Sequence, residues 1–195
     1  MKLLAAIKIA NRFINLLAHS CEKIQIAGSI RREKSDVGDI EIVAVPKMAD
    51  VPTGNLFGDM MKGSLLDIAI EDAIFRNEFY FDTILPKNGD RPKRFICDKV
   101  AVDLFIASPD NFGDILFIRT GDADFSRLAV TERKSGGLMP SWLKHKNGRL
   151  WNGNNQVVCA TEEDFFAAIG IQFVKPKIRC AQTAFQIKKE MASQW

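Results

Sequence analysis

Three acidic residues lie within apolar segments that have the pattern of β-strands. Asp39 and Glu41 are separated by one residue in DIEIVAV, and Asp103 lies in the middle of AVDLFIA. Residues i and i+2 of a strand share a face about 6.6 Å apart, so Asp39 and Glu41 point the same way. Carboxylates on neighbouring strands repel one another unless a cation lies between them. An all-oxygen donor set of this kind suits Mg²⁺ better than zinc.

These acids also have simpler explanations. An acid-x-acid pair is commonly the solvent-facing side of a half-buried strand. Asp103 could be capped by a backbone amide or paired with a basic side chain. The three carboxylates alone therefore leave both a metal site and an ordinary polar strand face open.

A glycine–serine turn precedes the acidic pair. Gly28-Ser29 ends an apolar segment, and Gly38 comes directly before Asp39. Glycine lets backbone amides approach an anion closely, and the serine hydroxyl adds a donor. The basic residues of the segment GSIRREKSDVGDIE follow the turn at once. The whole segment predicts a site where amides, a hydroxyl and guanidinium groups hold a polyphosphate, while the acids hold its magnesium.

The elements that must position these residues alternate between strand and helix patterns. Strands are predicted at 24–27, 39–45, 79–85, 94–97 and 101–107, with a turn at 87–90 and a hairpin around the Asn/Gly cluster 152–155. Helices are predicted over the first twenty residues and at 65–75, 110–117, 124–134, 161–170 and 181–192. The sum is an α+β protein whose mixed sheet is flanked by helices. A change of character near residue 120 divides it into 1–119 and a small C-terminal α/β subdomain, 120–195.

Composition narrows the function classes. The chain has 195 residues, 47% of them hydrophobic and 26% charged, with a net charge of +3, and these values are ordinary for a globular protein. Basic residues concentrate in the C-terminal part, as on a polyanion-binding face. The four cysteines and two histidines are scattered, which argues against zinc. No apolar run reaches the ~20 residues of a membrane span, and we expect a soluble, cytoplasmic monomer.

Several apolar and aromatic residues have less specific interpretations. Met60 and Met61 are predicted to lie in the core. Trp142 and Trp151 are interpreted as packing the C-terminal hairpin, with stacking on nucleic-acid bases as the alternative.

Taken together, the motifs resemble those of the family X DNA polymerases, within the polymerase-β-like nucleotidyltransferase superfamily. GSIRR at 28–32 and VGDIE at 37–41 are similar to that family's GS-x-RR and GD-x-D signatures. VDLF at 102–105 resembles the strand that bears the third carboxylate. FIRTG at 117–121 and the tail TEEDFFAAIGIQFVKPKIR at 161–179 resemble later segments of the family in the same order.

The resemblance implies a nucleotidyltransferase palm and a C-terminal subdomain that closes over the nascent base pair. Asp39 and Glu41 would ligate two Mg²⁺ ions, for which Mn²⁺ could substitute. Asp103 would ligate the catalytic ion and orient or deprotonate the primer 3′-hydroxyl. The residues expected at the nucleotide are Gly28, Ser29, Arg32, Gly38, Thr120, Gly121 and Ser126. The basic residues expected at DNA are Arg127, Arg133, Lys134, Lys144, Lys146 and Arg149.

The expected activity is nucleotidyl transfer from a dNTP to the 3′-hydroxyl of a DNA primer, on primer-template or gapped DNA. With about 21 residues before the first strand, we expect a minimal enzyme without the family's lyase and helix-hairpin-helix domains. Three places in the sequence depart from the pattern of that family. Glu41 stands where an Asp is more usual, Ile118-Arg119 stands where many members have an aromatic pair, and Ser126 stands where an Asn is common. Two alternatives stay open: a small-substrate or protein nucleotidyltransferase that uses the same acids, and a non-catalytic nucleic-acid-binding module.

Overall fold

The computed structural model describes residues 1–52, 59–84 and 92–193. The predicted turn at 87–90 and the end of the predicted strand 79–85 lie outside these ranges. The helices are α1 (Leu3–Leu17), α2 (Gly28–Arg31), α3 (Leu65–Phe75), α4 (Phe112–Thr120), α5 (Ala123–Ala129), α6 (Glu162–Ile169) and α7 (Ala181–Ala192). The strands are β1 (Cys21–Ile26), β2 (Ile40–Pro46), β3 (Met48–Pro52), β4 (Met60–Ser64), β5 (Tyr80–Phe81), β6 (Pro92–Cys97), β7 (Val100–Ile106), β8 (Leu143–Lys146), β9 (Arg149–Asn152) and β10 (Asn155–Val157).

A five-stranded sheet with the order β1-β2-β7-β6-β5 forms the centre of the first part of the chain. β2 and β7 run parallel, and the other neighbours are antiparallel, so the sheet is mixed. Helices α1 and α3 contribute side chains to the same core as Ile40 and Ile42 of β2 and Leu104 of β7. The predicted α+β class, with a mixed sheet flanked by helices, is confirmed.

The opposite face of the sheet is covered in part by α4. Val43 of β2 and Phe105 of β7 pack with Phe112 and Leu116 of that helix. Successive side chains of a strand point to opposite faces. Glu41 therefore shares the α4 face with Val43 and lies nearer the amino-terminal end of β2.

A second hydrophobic core lies in the C-terminal part of the chain. It joins α5, α6 and α7 to a three-stranded sheet of order β10-β9-β8, which contains the predicted hairpin. Four phenylalanines fill its centre, and the rings of Phe117 and Phe165 stack with centroids 4.0 Å apart. Such pairs add to the stability gained from burial. Phe117 belongs to α4, so this helix contacts both cores.

Helix α6 has the start and end that the sequence predicts. The Thr161 side chain accepts a hydrogen bond from the Asp164 backbone, and the Asp164 side chain accepts one from the Thr161 backbone. This reciprocal pair satisfies two N–H groups at the helix start. Gly170 ends the helix with φ +72°, a conformation that favours glycine.

Several local predictions are wrong. β3 and β4 form a two-stranded ribbon outside the main sheet. Met60 and Met61 lie on this ribbon and are 56% and 55% exposed, so they are not core residues. Trp142 is 62% exposed and does not pack the hairpin. Helix α5 ends at Ala129, before the predicted position 134, because the chain turns back to pair Glu132 with Met139.

No helix within the described ranges is both long and apolar enough to cross a membrane.

Candidate active site

The parallel pairing of β2 and β7 sets two of the predicted acids side by side. Glu41 pairs directly with Asp103, and Asp39 precedes β2, two residues before Glu41. Neighbouring strands lie about 4.8 Å apart, so the Glu41 and Asp103 side chains leave the same face of the sheet as neighbours. We call Asp39, Glu41 and Asp103 the acidic edge. The described part of the chain contains no cluster of three or more acidic, cysteine or histidine side chains already arranged around a common metal position.

A guanidinium group links two of these acids. Arg94 of β6 donates from Nε to Asp103 Oδ1 at 2.6 Å and from Nη2 to Asp103 Oδ2 at 2.7 Å. The same Nη2 lies 3.4 Å from Asp39 Oδ2. Asp103 is only 4% exposed, and a buried carboxylate requires such a partner. Of the explanations open for Asp103, pairing with a basic side chain is therefore the arrangement present here.

Sequence analysis missed Arg94 as a partner of the acidic edge, although the chain carries a signal for it. Asp98 and Lys99 form the turn between β6 and β7, and both have positive φ. Pairing outward from this turn joins Cys97 to Val100, and the same register joins Arg94 to Asp103. A register counted from the turn would have placed the arginine opposite the acid.

Glu41 is the least neutralised acid of the acidic edge. Burial, followed by the negative charge of Asp39, raises the pKa of Glu41 to about 7, and the charges of Arg119 and Arg32 offset this only in part. Within the described residues the Glu41 carboxylate forms no ion pair. Its position also depends on Gly28, whose φ is +61° and where an added Cβ would lie 2.3 Å from Glu41 Oε2. A larger residue at 28 would displace the carboxylate.

The predicted Gly28-Ser29 turn is a single helical turn, α2, that follows β1. The Ala27 backbone N–H donates to the Glu41 carbonyl at 2.8 Å, which fixes the start of α2 beside β2. Ser29 is half-buried in this turn, and Gly38 is exposed with no atom within 4 Å of where a Cβ would be. Both predicted phosphate-binding positions thus remain near the acidic edge and open to a ligand.

Arg32 contacts two of the other predicted nucleotide-binding residues. Its Nη1 donates to the carbonyls of Thr120 and Gly121 at 2.8 and 2.9 Å. Ser126 is 8% exposed and donates its hydroxyl to the Ile118 carbonyl at 3.0 Å. An added Cβ at Gly121 would lie 2.4 Å from the Ser126 hydroxyl. Ser126 therefore lies directly behind Gly121 and supports that turn.

Arg31 belongs to a buried cluster that sequence analysis missed. It donates to Thr120 Oγ1 at 2.8 Å and to Glu162 Oε2 at 2.6 Å. Arg179, which is 1% exposed, donates to Glu162 Oε1 at 2.5 Å. Burial opposes ionisation of Glu162, but hydrogen bonds from Arg31 and Arg179 outweigh it and lower the pKa of Glu162. We call Arg31, Glu162 and Arg179 the arginine junction, because it ties α2 to the second core.

The six basic residues predicted to contact DNA are not equivalent. Four have partners within the protein: Arg127 with Asp124, Lys134 with Glu132, Arg133 with the carbonyls of Leu138 and Ile169, and Arg149 with Ser108. Lys144 and Lys146 are exposed, and neither forms an ion pair in the described part of the chain. These two lysines are the exposed members of the set that have no acidic partner within the described residues.

Comparison with models of known protein families and with curated proteins finds no match for this chain. The acidic edge and its surroundings are therefore the basis on which a function is inferred.

Proposed function

We propose that the protein is a metal-dependent nucleotidyltransferase of the family X DNA polymerase type, which adds nucleotides from dNTPs to the 3′-hydroxyl of a DNA primer. One observation carries the proposal: the strand register that sets Glu41 beside Asp103. Asp39 lies at the same edge, and Gly28, in the glycine–serine turn that precedes the acidic pair, packs against Glu41. In this reading the five-stranded sheet is the palm.

The acidic edge suits a pair of divalent cations in its donor chemistry and its charge. All three side chains offer oxygen ligands, which Mg²⁺ and Mn²⁺ prefer. The Asp39 side chain is 47% exposed, and Glu41 has a raised pKa that a nearby cation would lower. Divalent cations at this position would stabilise charge on the transferring phosphoryl group and lower the pKa of the attacking hydroxyl.

The protein's own groups supply the binding and orientation. The Ser29 hydroxyl and the backbone N–H of Gly38 would donate to phosphate oxygens. Arg32 now donates to the carbonyls of Thr120 and Gly121, and exchanging these for a phosphate gives stronger, charge-assisted hydrogen bonds. Asp103 accepts two hydrogen bonds from Arg94, so its orientation is fixed before a substrate arrives.

Primer extension with a matched pair of variants tests the proposal. Asp103→Asn is expected to reduce dNTP incorporation at least about a thousandfold, because several kcal/mol of transition-state stabilisation depend on that carboxylate. Asp98→Asn changes an exposed acid in the same hairpin, in a positive-φ position that Asn tolerates, and is expected to retain activity. Recessed, gapped and single-stranded DNA are compared in Mg²⁺ and in Mn²⁺, and circular dichroism verifies folding.

Full activity of Asp103→Asn would overturn the proposal. Transfer to a small hydroxyl compound or a protein, without primer extension, would favour the small-substrate alternative. Binding of DNA without any metal-dependent transfer would favour the non-catalytic module.

A further inference from the structure

A groove of about 650 Å³ opens between the β8–β9 hairpin and the chain that follows α5. On the hairpin side the groove is lined by Lys144, His145, Lys146 and Trp151, and on the other side by Glu132. None of these residues belongs to the acidic edge or the arginine junction. The groove is thus a separate feature of the C-terminal part of the chain.

The strand register places Lys144, Lys146 and Trp151 of this hairpin on one face. Lys144 pairs with Trp151 across the two strands, and Lys146 follows Lys144 by two residues. Directly paired residues, and residues two apart on a strand, share a face. Leu143 and Leu150 point the other way and are buried in the second core. The core therefore holds the hairpin so that both lysines and the indole face outward together.

The charge of the groove suits a polyanion. Lys144 and Lys146 are exposed and form no ion pair among the described residues. The acid on the opposite wall, Glu132, is paired with Lys134 at 2.8 Å, so its negative charge is offset. The sequence from 140 to 158 contains no Asp or Glu. A phosphate backbone would meet two free cations and no uncompensated acid here.

Trp151 gives this groove an aromatic surface. The residue is half-buried and stands outside the second core, and its indole Nε1 donates to the Lys146 carbonyl at 3.3 Å. His145 also lines the groove, and its Nε2 has no hydrogen-bond partner within the described residues. Burial lowers the pKa of His145, and because Nε2 is itself buried and His145 pairs with the core residue Leu150, no ligand contact is assigned to its ring.

We propose that this groove binds single-stranded DNA, with one base stacked on Trp151 and the adjoining phosphates at Lys144 and Lys146. Stacking on an aromatic ring requires an unpaired base, which selects a single strand over a duplex. The choice of DNA over RNA rests on the proposed function, whereas the stacking and phosphate contacts do not depend on it.

Binding of a fluorescently labelled ten-residue oligothymidylate to the full chain, in EDTA, tests the groove apart from any catalysis. Trp151→Leu is expected to weaken binding at least about fivefold, since a stacked base contributes this much or more. Trp151→Phe keeps a ring and is expected to retain most of the affinity. Trp142→Leu, which removes an exposed tryptophan outside the groove, is the matched control and is expected to change affinity less than about twofold.

A charge-matched pair tests the phosphate contacts. The double variant Lys144→Gln/Lys146→Gln is expected to lower the slope of log affinity against log salt by about 1.4, because each single-strand phosphate contact contributes about 0.7. Lys8→Gln/Lys99→Gln removes the same charge from exposed positions elsewhere and is expected to leave the slope within about 0.3 of the wild type.

Equal affinities of Trp151→Leu and Trp142→Leu, or equal salt slopes of the two double variants, would overturn the proposal. So would a duplex that binds as tightly as the oligothymidylate, or a ten-residue oligouridylate that binds tighter. Asp103→Asn is expected to bind the oligonucleotide like the wild type. If Asp103→Asn loses primer extension but still binds the oligonucleotide, the proposal for the groove is supported. If the groove variants bind the oligonucleotide as tightly as the wild type, the proposal for the groove is overturned and the proposed function is not.

Discussion

The acidic edge and the arginine junction are both built from carboxylates and arginines, but their charges balance differently. In the junction each oxygen of Glu162 has its own guanidinium, one from Arg31 and one from Arg179. At the acidic edge, the single guanidinium of Arg94 donates hydrogen bonds to both Asp103 and Asp39. Glu41 has no hydrogen-bonded cation in the described part of the chain.

The pKa values follow from this difference. Two hydrogen-bonded arginines lower the pKa of Glu162 although burial acts against them. Burial and neighbouring acids raise the pKa of Glu41 to about 7. A fully compensated carboxylate is typical of a structural role, whereas a set of acids short of positive charge is typical of a site that takes up a cation. We therefore expect changes in the junction to alter stability and changes at the edge to alter binding and activity.

The largest expected effect tests the structural role of the junction. Glu162→Gln leaves the buried guanidinium of Arg179 and the half-buried one of Arg31 without their charged partner and is expected to reduce the free energy of unfolding by about 3–5 kcal/mol. Urea denaturation followed by circular dichroism measures this value. Glu163→Gln changes the adjacent, exposed residue of α6 and serves as the control. Equal losses in the two variants would show that the junction is not a main source of stability.

Asp114 is a buried acid that belongs to neither the acidic edge nor the arginine junction, and it allows the same comparison of pKa values. Burial raises its pKa to about 7, and the charge of Arg149 offsets only part of that effect. Because the folded-state pKa lies above the unfolded value, the stability from this group is full below about pH 4 and is lost as the pH rises through 7. Asp114→Asn is expected to flatten the pH dependence of unfolding over this range by up to about 4 kcal/mol.

Thermal unfolding between pH 4 and pH 8 measures this change. Asp110→Asn, at an exposed position near the start of α4, is the control. A pH profile of Asp114→Asn that matches that of the wild type would contradict the prediction.

A smaller effect is expected when Arg94, which donates hydrogen bonds to the acidic edge, is removed. Arg94→Ala removes the two charge-assisted hydrogen bonds that Arg94 donates to Asp103 and is expected to tighten Mn²⁺ binding about tenfold. Electron paramagnetic resonance titration measures free Mn²⁺ without relying on activity. Arg12→Ala removes an arginine that pairs with Asp98 and Glu78 away from the edge, and it is expected to leave Mn²⁺ affinity unchanged. Weaker binding in Arg94→Ala would instead show that the arginine positions Asp103 as a ligand.

The smallest expected effect separates the two adjacent arginines. Arg31 belongs to the junction, whereas Arg32 is proposed to bind the triphosphate. Arg32→Ala is expected to raise KM for the dNTP about tenfold with a smaller change in kcat, because it removes a phosphate contact made in both ground and transition states. Steady-state primer extension measures both constants. Arg76→Ala, which removes an arginine directly after the end of α3, is the control. An unchanged KM would limit Arg32 to its contacts with the carbonyls of Thr120 and Gly121.

Most helices and the central strands could be predicted because their signals are local. The three- and four-residue spacing of α1 and the cap of α6 depend on residues close in sequence, and the bounds of α3 and α7 match their predictions. The alternation in DIEIVAV likewise placed Ile40 and Ile42 in the core and Glu41 on the other face.

The features that were missed depend on contacts between distant segments. The arginine junction joins residues 31, 162 and 179, and no local pattern marks a buried partner so far away. The β3–β4 ribbon has exposed methionines where hydrophobicity alone predicts burial. Which basic residues lack an acidic partner could not be read from composition, since Lys134 pairs with Glu132 whereas Lys144 forms no ion pair among the described residues.

The parallel alignment of β2 with β7 has a consequence for folding. Glu41 and Asp103 meet only after the chain has closed a loop of about sixty residues, which includes α3 and two further antiparallel pairings. Long-range parallel contacts of this kind form slowly, because the entropy lost in closing the loop precedes any gain. Mutual repulsion of the two carboxylates therefore arises only when β2 and β7 pair, in the same step that brings Ile42 and Leu104 together in the core.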